Sequence, residues 1–348
     1  MATPLLYKGN ICGTASGGGT HANGTVYELN FKSRLLTVLH SFIGAPDGAD
    51  PIGGLVQDSI GNFYGVAYRG GANNFGTVFE QSLTGEFTLL HSFAGRPSEG
   101  IGPAGSLVLD PSGDLFGTTY NGGDTKGWGT VFEYSATVFT TLRTFDPGGA
   151  LPRAGLHLQE GKLYGTTSGG YGTWYGMYGG TVFEVGVSKP LYTFTGGTDG
   201  AQPMGGLIGD SQGNLYGTTA AGGQGSFGLG NGVVFKVNSA SGEEPVLHTF
   251  TGPDGSTPAA GLAWDSQGNL YGTATLGGAY GHGTVFKLDS SGNFTTVHSF
   301  TGGSDGAKPY AGLAVDAKGN ILGAASAGGS ATAPGGYGTL FVISPGTT

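Results

Sequence analysis

The chain has 348 residues, of which 75 are glycine and 16 proline, yet 37% are hydrophobic and only 11% charged. Disordered segments lack that apolar content, so a packed core is expected. A formal charge of −9 leaves no basic stripe for nucleic acid, and no apolar run nears the ~20 residues that span a bilayer, so neither is expected as a partner.

Along the chain one phrase, GTVFE, recurs with its valine at Val26, Val78, Val131, Val182, Val234 and Val285 and, as leucine, at Leu340. The spacing of 51 to 55 residues marks seven copies of one unit. Each unit reads as four short segments rich in Val, Thr, Phe and Tyr, shown most plainly in the sixth: GLAWD at 261–265, NLYGTAT at 269–275, GTVFKLD at 283–289 and FTTVHSF at 294–300. That is strand chemistry, and the connectors 266–268 and 290–292 are tight glycine turns of hairpins.

Four antiparallel strands in about 50 residues, repeated seven times, predict an all-β fold, a seven-bladed β-propeller with GLAWD-type strands innermost. One domain over 1–348 is expected, with blades near 1–45, 46–95, 96–147, 148–196, 197–252, 253–302 and 303–348. The seventh unit stops after GTLFVIS at 338–344, so the last blade is expected to lack its outer strand. Met1 to Thr3 supply no such strand and no signal peptide, which suggests a chain clipped at its start.

What repeats is required by the blade, whereas a small ligand has no sevenfold symmetry and its contacts must break the repeat. His40, His91, His248 and His298 share one slot, which Arg143 and Tyr192 fill in two units, and are read as structural. His21, His157 and His282 break the pattern. His157 stands out because it sits in an inner strand where other units carry Val, Ala or Ile. The only cysteine, Cys12, excludes an internal disulfide and a cysteine-built zinc site.

The long connectors all emerge on one face, where sites are expected. The linker between blades carries an acid before glycine at Asp47, Glu99, Asp199, Asp254 and Asp305, with Gly148 in the remaining unit. These acids either form a carboxylate ring for calcium, which takes six to eight hard oxygens, or shape Asp-Gly turns. A second acidic set, Asp58, Asp110, Asp210, Asp265 and Asp316, is read as turn caps. Residues beside the linker prolines vary, and Asp50, Arg153, Lys308 and Tyr310 have the place and the irregularity for polar work on a ligand, or else are solvated rim. Irregular loop aromatics (Phe75, Trp128, Tyr171, Trp174, Tyr175, Tyr178, Phe227, Tyr280 and Tyr337) either stack on sugars and acyl chains or plug the channel.

The combination of NLYGTT, GTVFE, HSF and the linker GGSDGAKP resembles the Gloeobacter and Verrucomicrobia (GloVer) repeat over essentially the whole chain. That resemblance implies an exported protein, extracellular or periplasmic. Through lactone-opening propellers that hold calcium near the channel mouth, it also implies a hydrolase of lactones, with N-acyl-homoserine lactones as substrate. In that reading calcium sits on the five linker acids, His157 or Asp50 is the general base, and Arg153, Lys308 or Tyr310 steadies the oxyanion. The alternative is a non-catalytic propeller, monomeric like the enzyme, that binds carbohydrate or protein.

Overall fold

A computed structural model describes residues 3–146, 149–170, 179–224, 230–329 and 338–345. Besides one two-stranded sheet, their strands form seven antiparallel sheets of three or four strands, numbered here as blades one to seven in chain order, and no helix occurs among the described residues. The architecture is the seven-bladed β-propeller that the repeat predicts. Blade six is built from Ala263–Trp264, Leu270–Ala274, Thr284–Leu288 and Phe294–Ser299 in that order across the sheet. Blade seven has only Ala314–Val315, Ile321–Ala325 and Thr339–Ile343. Its outer strand is missing, as the segment count requires.

The chain divides into two units, residues 1–165 with 184–188 and residues 166–183 with 189–348. In the first, the core lies between neighbouring blades: Cys12, Val26 and Phe42 pack with Leu55, Phe63 and Phe79, and Val78 and Phe93 pack with Leu107, Leu115 and Phe132. In the second, Val234 and Phe250 pack with Leu262, Leu270 and Phe286, and Val285 and Phe300 with Leu313 and Ile321. A fully buried phenylalanine contributes roughly 1.5–3 kcal/mol, and blades two, four, five and six supply one from each of the same two slots: Phe79 and Phe93, Phe183 and Phe194, Phe235 and Phe250, Phe286 and Phe300.

Two repeated contacts fix one blade against the next. A threonine of the second strand donates to a carbonyl just before the inner strand of the following blade: Thr14 to Gly53 at 2.7 Å, Thr118 to Ala154 at 2.8 Å, Thr218 to Ala260 at 3.0 Å. In the first six units the glycine that opens the third strand lies under the next linker proline. A Cβ on Gly24 would stand 2.4 Å from Pro51, and one on Gly76 2.3 Å from Pro103. Both glycines also have φ near +103°, so no other residue fits there.

The short turns are capped as the sequence implies. Asp265 Oδ1 accepts the backbone N–H groups of Gln267 and Asn269, and its Oδ2 accepts Asn269 Nδ2 and the Tyr271 hydroxyl. Asp58 and Asp210 repeat the arrangement with Tyr64 and Tyr216.

Candidate functional site

The linker acids and the outer-strand histidines, two separate features of the sequence, turn out to be one device. His40 Nε2 meets Asp47 at 2.8 Å, His91 meets Glu99 at 3.0 Å, His248 meets Asp254 at 2.9 Å and His298 meets Asp305 at 3.1 Å. Where the slot holds Tyr192, its hydroxyl donates to Asp199 at 3.0 Å. Each acid also accepts the backbone N–H at the start of its own linker: Ile43, Ala94, Thr195, Thr251 or Thr301. The pairing therefore closes a loop in each of these five units. Burial acts to raise the Asp254 and Asp305 carboxyls, but the donors of Thr251 and His248, and of Thr301 and His298, outweigh it and hold both below the ordinary value.

This donor set does not fit calcium. In Asp47, Asp199, Asp254 and Asp305 both carboxylate oxygens already accept N–H or O–H donors. Among the described residues no three His, Cys, Asp or Glu gather where a metal could be held. The five acids, one in each of five units, each lock a turn, and in Asp47, Asp199, Asp254 and Asp305 a metal would compete with donors on both oxygens.

His157 sits at the start of the inner strand His157–Gln159, opposite Tyr164. Its counterparts Val56, Ile208 and Ala263 pack in the apolar clusters between blades. Burial lowers its pKa, partly offset by the Gln159 side chain, whose Oε1 lies 3.3 Å from Nε2. Burial thus favours its neutral form. His21 bonds the neighbouring Thr20 hydroxyl, and the His282 ring lies over Gly302.

The residues before the linker prolines share an unexpected backbone. Asp50, Leu151, Gln202, Thr257 and Lys308 all have φ between 53° and 62°, a left-handed state that costs an L-residue about 1–3 kcal/mol. Two bonds hold it. The N–H of Asp50 donates to Asn23 O, that of Lys308 to His282 O, and their carbonyls accept Tyr68 N and Ser326 N. These positions vary in sequence while their backbone is pinned, so each presents its side chain from a fixed point. Tyr310, beyond the sixth proline, is exposed. Lys308 and Tyr310 belong to the second unit, and Asp50 and Arg153 to the first.

Around Asp50 and Arg153 the repeat breaks three times together. The slot after the second strand holds Ser16, Ser168, Ala220, Thr275 or Ser326 in five units, but Tyr68 and Tyr120 in blades two and three. The pre-proline slot of blade three is Gly102, where a Cβ would stand 2.6 Å from the Tyr68 ring, so glycine lets that ring lie against the backbone. Thr119 pairs with Pro103 and Asn121 with Ile101, which puts Tyr120 across the ladder from Gly102. The Arg153 guanidinium covers the Tyr120 ring at 4.6 Å and donates to its hydroxyl at 2.8 Å. Arg69 lies 6.0 Å from the Tyr68 ring and 3.4 Å from Asp50.

Two half-buried rings, two exposed arginines and one carboxylate thus line one edge of the first unit. Sequence reasoning named Asp50 and Arg153 and missed Tyr68, Tyr120 and Arg69; the signal was the small-residue slot that turns to tyrosine twice. Of the loop aromatics, Phe75 packs into the core between blades two and three and Tyr280 is exposed. Gly148, Tyr171, Trp174, Tyr175, Tyr178, Phe227 and Tyr337 lie outside the described residues.

The fold and its repeated His–acid lock define a β-propeller of seven like units. The family model of the Gloeobacter/Verrucomicrobia repeat matches residues 2–179 and 175–348, and the chain belongs to that family. No curated protein matches it in sequence. Solved structures that resemble it include a puromycin hydrolase, at 12% identity and a TM-score of 0.63 over 99% of this chain and 51% of that one. A candidate 6-phosphogluconolactonase from Bacteroides fragilis matches at 17% identity and a TM-score of 0.57 over 92% of this chain and 89% of that one. A nidogen/laminin complex matches at 17% identity and 0.52 over 84% and 94%. Hydrolases and a binding assembly stand side by side among these, and at such identities the likeness is one of fold alone.

Proposed function

We propose that this chain is a binding propeller whose ligand surface is the row Tyr68, Gly102, Tyr120 and Arg153, with Asp50 and Arg69 at its end. The observation that carries the reading is the coincidence of three breaks in the repeat at adjoining positions of blades two and three. The ligand class is a neutral carbohydrate. Tyrosine rings take the C–H faces of sugar rings, while Arg69, Arg153 and Asp50 offer donors and acceptors for hydroxyls. A chain of net charge −9 repels an acidic polymer. An extracellular or periplasmic location, which the family implies, agrees with such a ligand.

The test is retention on insoluble cellulose, xylan and β-1,3-glucan. The parent is retained by at least one polymer, and Tyr120→Ala and Arg153→Ala are not, with unchanged melting temperature. Retention of none, or of parent and variants alike, overturns the proposal.

A second reading, hydrolysis of lactones such as N-acyl-homoserine lactones, draws support from the likeness to the candidate 6-phosphogluconolactonase. In it the neutral His157 accepts a proton from water and Arg153 steadies the oxyanion. This reading uses no metal, because the carboxylates of Asp47, Asp199, Asp254 and Asp305 already hold their own turns. Its test is ring opening of simple lactones by the parent and by His157→Gln, with and without EDTA. Turnover that falls in the variant supports it, and its absence in the parent removes it.

A further inference from the structure

The junction of blades four and five departs from its sisters at two facing positions at once. Where blades one and two, two and three, and five and six meet, an outer-strand histidine stacks flat on a phenylalanine of the next outer strand. His40 lies on Phe87, His91 on Phe139 and His248 on Phe294, at 3.6 to 4.1 Å. Where blade four meets blade five, the histidine slot holds Tyr192, and the phenylalanine slot, just ahead of the strand Val246–Thr249, holds Glu244. The rest of the cluster is kept, with Phe194 5.0 Å from both Tyr192 and Phe235. A carboxyl thus occupies the place of a ring.

The hydrogen bonding there leaves that carboxyl one satisfied state. Tyr192 has a single hydroxyl proton and donates it to Asp199 at 3.0 Å. Glu244 comes to the same hydroxyl, and its Oε1 is buried with no hydrogen-bond partner. An ionised carboxylate only accepts, whereas a carboxylic acid donates one O–H, so the protonated form alone suits the free lone pairs of the Tyr192 oxygen. Burial is the largest effect on Glu244 and the Asp199 carboxylate adds to it, with Tyr192 opposing; together they push the group up to about 8. Lys189, Lys236, Glu243 and His248 are the other charged or titratable side chains on the strands and turns that meet here, and none of them is among the groups that shift it.

The outer strands on both sides are short. Tyr192–Thr193 has two residues and Val246–Thr249 four, against six or seven in blades one, two, three and six. Blade five reaches blade four through the turn that precedes its outer strand: a Cβ on Gly242 would stand 2.7 Å from Leu191 O. Asn238 holds that turn together from within, its Oδ1 accepting the N–H groups of Ala240 and Ser241 and its carbonyl that of Gly242. Such a turn moves as one piece, and segments with few ladder bonds are the ones that open locally.

We propose that the junction of blades four and five is a proton-operated latch: protonated Glu244 holds the turn 239–245 against Tyr192 and Leu191, and loss of its proton to solvent releases that turn from blade four. The closed junction keeps the proton, while the open one, with Glu244 in water, gives it up near the ordinary 4.5. Opening therefore becomes easier as pH rises from about 4.5 to 8 and levels off above.

The test is hydrogen–deuterium exchange of the full chain at about pH 5 and about pH 9, read by mass spectrometry and corrected for the intrinsic rate of each amide. In the parent, segments 189–196 and 239–249 lose protection about 10-fold or more at the higher pH, while segment 291–300 of blade six is unchanged. Glu244→Gln, whose amide still donates to the Tyr192 oxygen, keeps the parent's low-pH protection at both. Glu244→Ala, folded by its melting temperature, shows the lower protection at both. Equal protection of the parent at the two pH values overturns the proposal, and so does a pH response that Glu244→Gln retains. Loss of protection in blade six to the same extent marks a loosening of the whole fold and refutes the latch as well.

Discussion

Replacing His248 and His298 one at a time by alanine separates the two parts of the repeated lock. His248 stacks on Phe294 at 3.6 Å and bonds Asp254 at 2.9 Å, whereas His298 makes the bond to Asp305 at 3.1 Å and has no ring stacked on it among the described residues. A stacked aromatic pair adds about 0.5–1.5 kcal/mol, and one part-exposed bond to a carboxylate about 1 kcal/mol. His248→Ala is therefore expected to cost about 2 kcal/mol and His298→Ala about 1 kcal/mol. In thermal unfolding these correspond to losses of about 4 °C and about 2 °C. Equal losses, or a larger loss for His298→Ala, would refute the assignment of the difference to the stacked ring.

Asp254→Asn, which keeps the shape but weakens acceptance from His248 and Thr251, is expected to lower the melting temperature by a few degrees, while exhaustive dialysis against EDTA leaves the parent's unchanged; a fall on dialysis would restore a metal to the linkers. Burial, helped by the Asp199 carboxylate and opposed by Tyr192, pushes the Glu244 carboxyl from 4.5 up to about 8. The folded chain then holds a proton that the unfolded chain has released, so stability falls as pH rises from about 4.5 to 8. Glu244→Gln is expected to raise the melting temperature at pH 9 and to change little at pH 4, and an equal effect at both would contradict the shift. Burial, with Glu28 nearby, pushes the Cys12 thiol up to about 12, so a thiol reagent at pH 8 reacts only as the chain unfolds; prompt labelling of the native protein would contradict its burial. Gly76→Ala places a Cβ against Pro103 at a φ of +103° and is expected to cost more than about 2 kcal/mol in urea unfolding.

Blade number, strand order and the three-stranded last blade were legible because each rests on periodicity, and periodicity needs no knowledge of contacts. The turn role of Asp58 and Asp265 was legible for the same reason. Asp47 and His40 were each legible as repeated but not as partners. The outer strand and the following linker had to fold back on one another before the seven-residue separation became a 2.8 Å bond. In hindsight the unit lacking the acid, with Gly148, is also the one whose histidine slot is Arg143, whose guanidinium donates instead to the carbonyls of Glu184 and Val187. The surface at Tyr68 and Tyr120 was not legible because these rings stand not in the irregular loops but at strand ends, Tyr68 bonded to Asp50 and Tyr120 across the ladder from Gly102.

The most direct measurement of the account is calorimetric titration of the parent and of Tyr120→Ala with one soluble neutral hexasaccharide from whichever polymer retains the parent. Saturable binding at one site by the parent, weakened about tenfold or more in the variant as expected for losing a ring platform, is the result predicted. Equal affinity in both proteins, or heat indistinguishable from dilution in the parent, would contradict the claim that function resides where the repeat breaks around Gly102.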